Sequence, residues 1–288
     1  MAIVYEKLLN LHIPDAEQSY TWKDSALYAL GLGLGIDPMN EEELAFVYEG
    51  KQKSLPTQAV VLAHPGFWLR DLDTGIDWVK MMAGEYDLTL HKPVPPSGKV
   101  VGQSKVVEIY DKGPGRGAVV QYERRLVDKA TGEPIATVLQ STFCRGDGGF
   151  GGPERKQAKP HQVPTDRSPD LVCDLSTLAQ GALVYRLSGD VNPLHADPAV
   201  AKAAGFPKPI LHGLGTYGVT GHALLKSLCD YIPERFKRMS ARFTAPVFPG
   251  ETFRTEMWIE GDGVASFQVR CLDRDVVAIS NGRFEYSA

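Results

Sequence analysis

Gly213-Leu-Gly-Thr-Tyr-Gly-Val-Thr-Gly-His-Ala-Leu-Leu-Lys-Ser-Leu-Cys-Asp230 reads as one clear helix. Leu214, Tyr217, Leu224, Leu225 and Leu228 recur at helical spacing, while Gly215, Gly218 and Gly221 leave room for close packing. Pro233 is expected to stop it. The pattern then changes period. Phe253, Thr255, Met257 and Ile259 alternate with Arg254, Glu256, Trp258 and Glu260, as in a half-buried strand. Strands are predicted over 252–260, 265–272 and 276–286, with turns at Gly261-Asp-Gly263 and Asp273-Arg-Asp275. A long helix followed by an antiparallel sheet reads as α+β, the sheet wrapping the helix.

Part of this plan recurs earlier in the chain. Leu27-Tyr-Ala-Leu-Gly-Leu-Gly33 stands where Val184-Tyr-Arg-Leu-Ser-Gly-Asp190 stands later, and Lys92-Pro-Val-Pro-Pro-Ser-Gly98 matches Ala245-Pro-Val-Phe-Pro-Gly250. Each Pro-Val element precedes three strand-like segments, with turns in the earlier set at Asp111-Lys-Gly-Pro-Gly115 and Asp128-Lys-Ala-Thr-Gly132. The shared order supports an internal duplication. Two differences separate the copies. Gly33 falls opposite Asp190, and Pro65, Gly66, Gly75 and Gly84 interrupt the region where a second long helix would lie, leaving room for a cavity. Between Arg145 and Pro169 glycine, proline and polar residues dominate, which predicts an exposed connector. The expected organisation is therefore a first repeat over 1–145, a linker over 146–169 and a second repeat over 170–288.

At 288 residues there is ample chain for a large core, and 31 Lys+Arg against 35 Asp+Glu leaves no global field for nucleic acid or an anionic membrane. Cys144, Cys173, Cys229 and Cys271 are scattered without a C-x-x-C pair, so a disulfide framework or zinc site is not expected. The N-terminus lacks a signal-peptide pattern, no apolar run is long enough to span a bilayer, and Tyr286-Ser-Ala288 is not a peroxisomal address. A soluble, cytoplasmic enzyme is the expectation.

The chemistry concentrates in Tyr185-Arg-Leu-Ser-Gly-Asp-Val-Asn-Pro-Leu-His195 and Lys208-Pro-Ile-Leu-His-Gly213. Asp197-Pro198 opens a short helix closed by Gly205, so Asp190, Asn192 and His195 sit on the loop feeding it. An aspartate at a turn is most often a backbone cap, and a single histidine is most often structural. The ordered combination is different, because capping does not require the histidine. Two titrating groups sharing one water can add it across a double bond beside a carbonyl from one face. Gly213 either permits a tight turn or, opening a helix, offers an N–H to the developing oxyanion. His212 is read as structural. His12, His64, His91, His161 and His222 show no metal-ligand spacing, and neither G-x-S-x-G nor a phosphate-binding loop occurs.

On these residues the chain resembles the MaoC-like, hydratase 2 group of (R)-specific enoyl-CoA hydratases, in the double hot-dog form of peroxisomal multifunctional enzyme type 2. The likeness extends through Tyr20-Thr-Trp-Lys-Asp-Ser-Ala-Leu-Tyr-Ala-Leu-Gly31, Leu44-Ala-Phe-Val-Tyr-Glu-Gly50, Ala241-Arg-Phe-Thr-Ala-Pro-Val247 and Glu256-Met-Trp258. The resemblance implies that Asp190 and His195, with Asn192 beside them, hold and activate water, and that Gly213 is the oxyanion amide. It further implies an acyl-CoA site lined by Asp190, Val191, Asn192, Pro193, Leu194, His195, Gly213 and Phe243. Gly84 and Lys112 would join it from the first repeat, Lys112 facing CoA phosphate. Glu49 matches a glutamate linked to activity, its role here left open as a structural brace. The family's His-Gly-Glu-Gln reads Ala83-Gly-Glu-Tyr86 in this chain. No metal or redox cofactor, a non-catalytic first repeat that accommodates the acyl chain, and a homodimer are implied as well. A peroxisomal location is compatible with the family.

The reaction expected is reversible hydration of trans-2-enoyl-CoA to (3R)-3-hydroxyacyl-CoA. A carrier-protein dehydratase of fatty-acid or polyketide synthesis is the alternative, and a thioesterase or a non-catalytic acyl-CoA-binding protein are further ones. The intact Asp-x-Asn-Pro-Leu-His loop argues against the last two.

Overall fold

The computed structural model describes residues 2–287. Ten strands form one antiparallel sheet: β1 (Ala16–Tyr20), β2 (Met81–Leu90), β3 (Gly98–Asp111), β4 (Ala118–Asp128), β5 (Pro134–Cys144), β6 (Leu171–Ser176), β7 (Phe236–Phe243), β8 (Thr252–Gly261), β9 (Val264–Cys271) and β10 (Val276–Tyr286). The α-helices are α1 (Tyr5–Leu9), α2 (Trp22–Gly31), α3 (Glu41–Leu44), α4 (Trp68–Asp71), α5 (Gly181–Tyr185), α6 (Pro198–Ala203) and α7 (Gly213–Cys229).

Strand order is β1-β3-β4-β5-β2-β7-β10-β9-β8-β6. Read from the two edges inward, the first five strands and the last five follow the same sequence, so each half is one hot-dog sheet. The halves meet edge to edge where β2 pairs with β7, from Glu85 opposite Arg242 to Thr89 opposite Arg238. Arg238 grips Asp87 with two parallel bonds of 2.9 and 2.6 Å, and Arg242 donates to Glu85 at 2.8 Å across the same seam. The double hot-dog and its α+β class are what the sequence led us to expect.

The long helix α7 begins at the expected glycine and is buried from Gly215 to Leu225 without interruption. It is therefore covered all round, not on one stripe. Elements of the first half press on it: a side chain at Gly218 would meet Leu32 at 2.6 Å, and one at Gly221 would meet Thr57 at 2.4 Å. The helix ends four residues before Pro233. Asp230 and Tyr231 take left-handed conformations (φ 49° and 54°) and turn the chain, and Pro233 opens the next turn instead of stopping this one.

In the first half no helix of comparable length occurs among the described residues. Its place is taken by a buried 3-10 turn, Pro56–Val60. The fully buried Arg124 of β4 closes that turn, donating to the carbonyls of Val60 (2.7 Å), Ala59 (3.2 Å) and Leu62. A cation against carbonyls at the end of a helical turn is favoured by the dipole.

Residues 146–169 have no regular structure, as expected, but they are not a loose tether. Gly149 and Gly151 donate to Asp111 (2.7 and 2.8 Å), and Arg155 pairs with Glu108. Further on, His161 bonds Ser266 and accepts from Asn281. The segment is strapped from β3 to β9 and β10.

A buried polar brace ties the first half to the far end of α7. Glu43 of α3 accepts from Tyr231 Oη (2.9 Å) and from Gly35 N–H (3.0 Å), with His222 Nε2 at 3.7 Å. The His222 imidazole, with the Gly35 amide and the Tyr231 hydroxyl, holds this carboxyl down to about 2. Because the shift is downward from 4.5, its stabilisation is present above that pH and lost as pH falls towards 2. Glu43→Gln is expected to cost of order 3 kcal/mol at neutral pH. Thermal unfolding of the two proteins should therefore differ at pH 7 and converge in acid. A pH-independent gap would contradict the brace.

Candidate active site

The loop from Asp190 to His195 is built by local hydrogen bonds. After α5 the chain makes a further turn to Ser188, and Gly189 (φ 126°) redirects it outward. Asp190 Oδ1 accepts from Asn192 N–H at 3.1 Å, and Asn192 Oδ1 accepts from Leu194 N–H at 3.0 Å. Pro193 opens the single 3-10 turn Pro193–His195. Asn192 is thus spent as a cap through its carbonyl, which leaves its NH2 for other partners. Asp190, Val191, Asn192 and Pro193 are exposed, Leu194 is half-buried and His195 is 8 % exposed. Asp197 accepts from Ala199 N–H at 2.8 Å and caps α6, as read from the sequence.

The segment before α7 sets the state of His195. Its Nδ1 lies 2.9 Å from the carbonyl oxygen of Ile210, which can only accept, so Nδ1 carries the hydrogen. Burial lowers the pKa of His195, opposed by that carbonyl and by Asp190. The ring is then neutral near pH 7 and presents a bare Nε2, the form a general base needs.

His212, the residue before α7, stacks on His195 with ring centroids 3.8 Å apart and planes 27° from parallel. Its Nε2–H donates to the backbone carbonyl of Asp190 at 3.1 Å, which leaves Nδ1 buried without a partner. Burial and the neighbouring imidazole hold His212 well below the usual histidine range. It is structural, as expected, but structural to the site: one neutral ring fixes both the Asp190 backbone and the plane of His195.

Asp190, His195 and His212 offer side-chain atoms within 4.8 Å of one another. A shared metal ion needs lone pairs converging on one point. Stacked rings carry their in-plane lone pairs side by side, and one nitrogen of each ring is committed to a carbonyl. The cluster suits proton handling better than ion binding.

Gly213 is the first residue of α7, so its N–H has no acceptor within the helix. A side chain at Gly213 would lie 3.7 Å from the Phe243 ring, which places Phe243 beside that amide. Phe243 in turn meets Tyr86 of β2 edge-on at 5.9 Å. Asp190, His195, Gly213 and Phe243, drawn from three elements, therefore share one site.

Gly84 lies at this rim, one residue past the Glu85–Arg242 pair, and occupies a bulge where a side chain would meet Ser141 O at 2.9 Å. Lys112 lies elsewhere: on the turn after β3, it donates to Gln157 of the linker at 2.9 Å and sits over the Tyr110 ring. Glu49 is exposed in a 3-10 turn, and the brace foreseen for it is made by Glu43, six residues earlier.

Three contributors carry no motif. The Ile210 carbonyl fixes a tautomer with a backbone atom. Tyr86 and His64 both feel the charge of Asp190 across the two halves. His64 is exposed, and the protein around it, with the nearby Arg124 cation, lowers its pKa.

If His195 is the base, kcat/KM should fall only below pH 6.5, because its pKa is shifted downward and the neutral ring is the active form. Rates on a short enoyl thioester should be flat from pH 6.5 to pH 8, where the ring stays neutral. An acid limb centred above that range would contradict the assignment.

A double hot-dog bearing a carboxylate, a neutral imidazole and a helix-start amide defines a hydratase or dehydratase of thioesters. Two family matches agree: residues 157–281 match the MaoC like domain, and residues 18–146 match the MFE-2 hydratase 2 N-terminal domain. Among curated relatives, a probable enoyl-CoA hydratase 2 of Dictyostelium discoideum is 41% identical over 267 residues, covering 90% of this chain and 88% of its own. The 3-hydroxyacyl-thioester dehydratase Y of Mycobacterium tuberculosis is 40% identical, covering 93% of each chain. The crystal structure of a MaoC-like dehydratase from Phytophthora capsici superposes with a TM-score of 0.86 at 34% identity, over 98% of both chains. The chain belongs to the MaoC-like hydratase 2 family.

Proposed function

We propose that this protein is an (R)-specific 2-enoyl-CoA hydratase of fatty-acid metabolism, adding water reversibly to trans-2-enoyl-CoA to give the (3R)-3-hydroxyacyl thioester. The observation that carries this reading is the neutral His195, with Nε2 bare, beside the free carboxylate oxygen of Asp190 and near the unpaired amide of Gly213.

Water sits between Asp190 and His195. His195 Nε2 takes one proton as the water oxygen bonds to C3. Electron density moves from the double bond into the thioester carbonyl, whose oxygen becomes an enolate held by Gly213 N–H. The proton then returns to C2 from the same side, the carbonyl reforms and both catalytic groups regain their starting state. Addition is syn, and the same groups run the dehydration backwards. Asn192 holds the loop in shape, and its NH2 can bond the water.

In this reading residues 1–145 form a non-catalytic repeat that receives the acyl chain, 146–169 strap the halves together and 170–288 carry the chemistry. The site needs no metal or redox cofactor, since the proton leaves and returns through side chains. Lys112, on its separate turn, is assigned to a CoA phosphate, where an amine held by one amide and a ring face can exchange partners. The protein acts as a homodimer. No helix among the described residues is long and apolar enough to cross a membrane. The four buried free thiols fit a reducing compartment, and we assign the cytoplasm.

The test is hydration of crotonyl-CoA by the purified protein, with loss of enoyl absorbance coupled to chiral analysis of the product. The (3R) product supports the reading. An (S) or racemic product would overturn it, as would turnover confined to carrier-protein thioesters.

A further inference from the structure

We propose that Tyr86 is a partition that ends the acyl-chain site where the first half meets the reacting centre, and that it restricts the enzyme to short acyl chains. The inference rests on the hydratase reading above and names the class of acyl group that reading leaves open.

A chain leaving the Gly213 amide would follow the seam where β7 meets β2 of the first half, and what it meets there is set by register. Tyr86 stands opposite Ala241 of β7 on one side and opposite Gln140 of β5 on the other, and Gln140 stands opposite Tyr122 of β4. These residues form one row across the seam, running from the catalytic half into the first half. Phe243, beside the Gly213 amide, meets the Tyr86 ring edge-on at 5.9 Å. Tyr217 of α7 closes on it at 6.2 Å. A chain leaving a thioester held at Gly213 thus meets Phe243 first and Tyr86 next.

Tyr86 is not free to swing away. It is 5 % exposed, and its hydroxyl donates to Gln140 Oε1, which also accepts from Tyr122. Tyr122 is pinned by the Trp68 ring at 5.2 Å, edge-on. A ring packed on one face and tied at its hydroxyl is a wall, not a flap. Gln140, next on the same row, is only half-buried. Removing the ring would lengthen the site towards Gln140.

Binding of the saturated thioesters butyryl-CoA and decanoyl-CoA tests this without chemistry. In the wild type the longer chain should bind no more tightly than the shorter, because its extra methylenes find no apolar room. In Tyr86→Ala the ratio should move towards decanoyl-CoA by at least about ten-fold. Tyr86→Phe, which keeps the ring and loses only the hydroxyl, should keep the wild-type ratio. Tyr86→Leu makes the same comparison with less lost packing if the alanine variant does not fold. Decanoyl-CoA bound much more tightly by the wild type, or a ratio unmoved by loss of the ring, would overturn the partition. Hydration of crotonyl-CoA by the same samples reports separately on the hydratase reading: a partition that holds in binding with no hydration would fault that reading alone.

Discussion

His195→Ala is expected to lower kcat for crotonyl-CoA by on the order of 10³-fold while the fold survives, because the ring supplies the Nε2 that takes the proton of the water. Its backbone N–H stays bonded to Asn192, so the 3-10 turn that shapes the loop does not depend on the side chain. Asp190→Asn separates charge from geometry in a complementary way. The amide oxygen can still accept from Asn192 N–H as Oδ1 does now, so the loop keeps its turn and only the negative charge is lost. A loss of about 10²-fold or more is expected. Turnover on crotonyl-CoA and a melting curve, measured together, decide the matter. Near-normal rates in both variants would remove the pair from the mechanism.

The second large effect is expected at Gly213, where the N–H and the side-chain position can be tested apart. Gly213 is the first residue of α7, the one helical position where proline is well tolerated. His212 before it has φ −59° and ψ 139°, which is the conformation a residue preceding proline prefers. Gly213→Pro should therefore keep the helix while deleting the amide hydrogen. A loss of about 10²–10³-fold in kcat is expected if that hydrogen faces the enolate oxygen. Gly213→Ala is the control: its Cβ would meet Phe243 at 3.7 Å, an ordinary contact, and the N–H remains. The alanine variant should stay within about ten-fold of wild type, a margin of roughly one good hydrogen bond. Equal losses in both would mean that shape, not the hydrogen, is what matters there.

The fold was legible where burial imposes one period. The helix was placed from its first glycine, and β8, β9 and β10 fell within a residue or two of their expected bounds, since Gly and Asp mark the turns between them; β8 alternates only to Met257, after which Trp258 turns inward in place of Ile259. The strands that join the halves left no such trace. β7 carries its buried residues at Phe236, Met239 and Ala241, a broken alternation that reflects the bulges in its pairing with β10. The helix ends within a residue of its expected bound, but two left-handed residues, neither a glycine, make the stop in place of Pro233.

In the proposed site, Asp190, His195 and Gly213 stand out in the sequence because their chemistry is in their side chains or at a helix start. The Ile210 carbonyl was not, because any residue has one. The Glu43–Tyr231 bond joins positions 188 residues apart, and local sequence holds no record of such a pairing. Tyr86 read as one more strand residue. Its meaning comes from the row it shares with Gln140 and Ala241.

The central claim is that Asp190 and His195 handle one water on one face of the substrate. Hydration of crotonyl-CoA in D2O, followed by chiral and NMR analysis of the 3-hydroxybutyryl thioester, tests it most directly. The mechanism predicts a (3R) hydroxyl with deuterium at C2 added to the same face. A (3S) product, or deuterium on the opposite face, would contradict it.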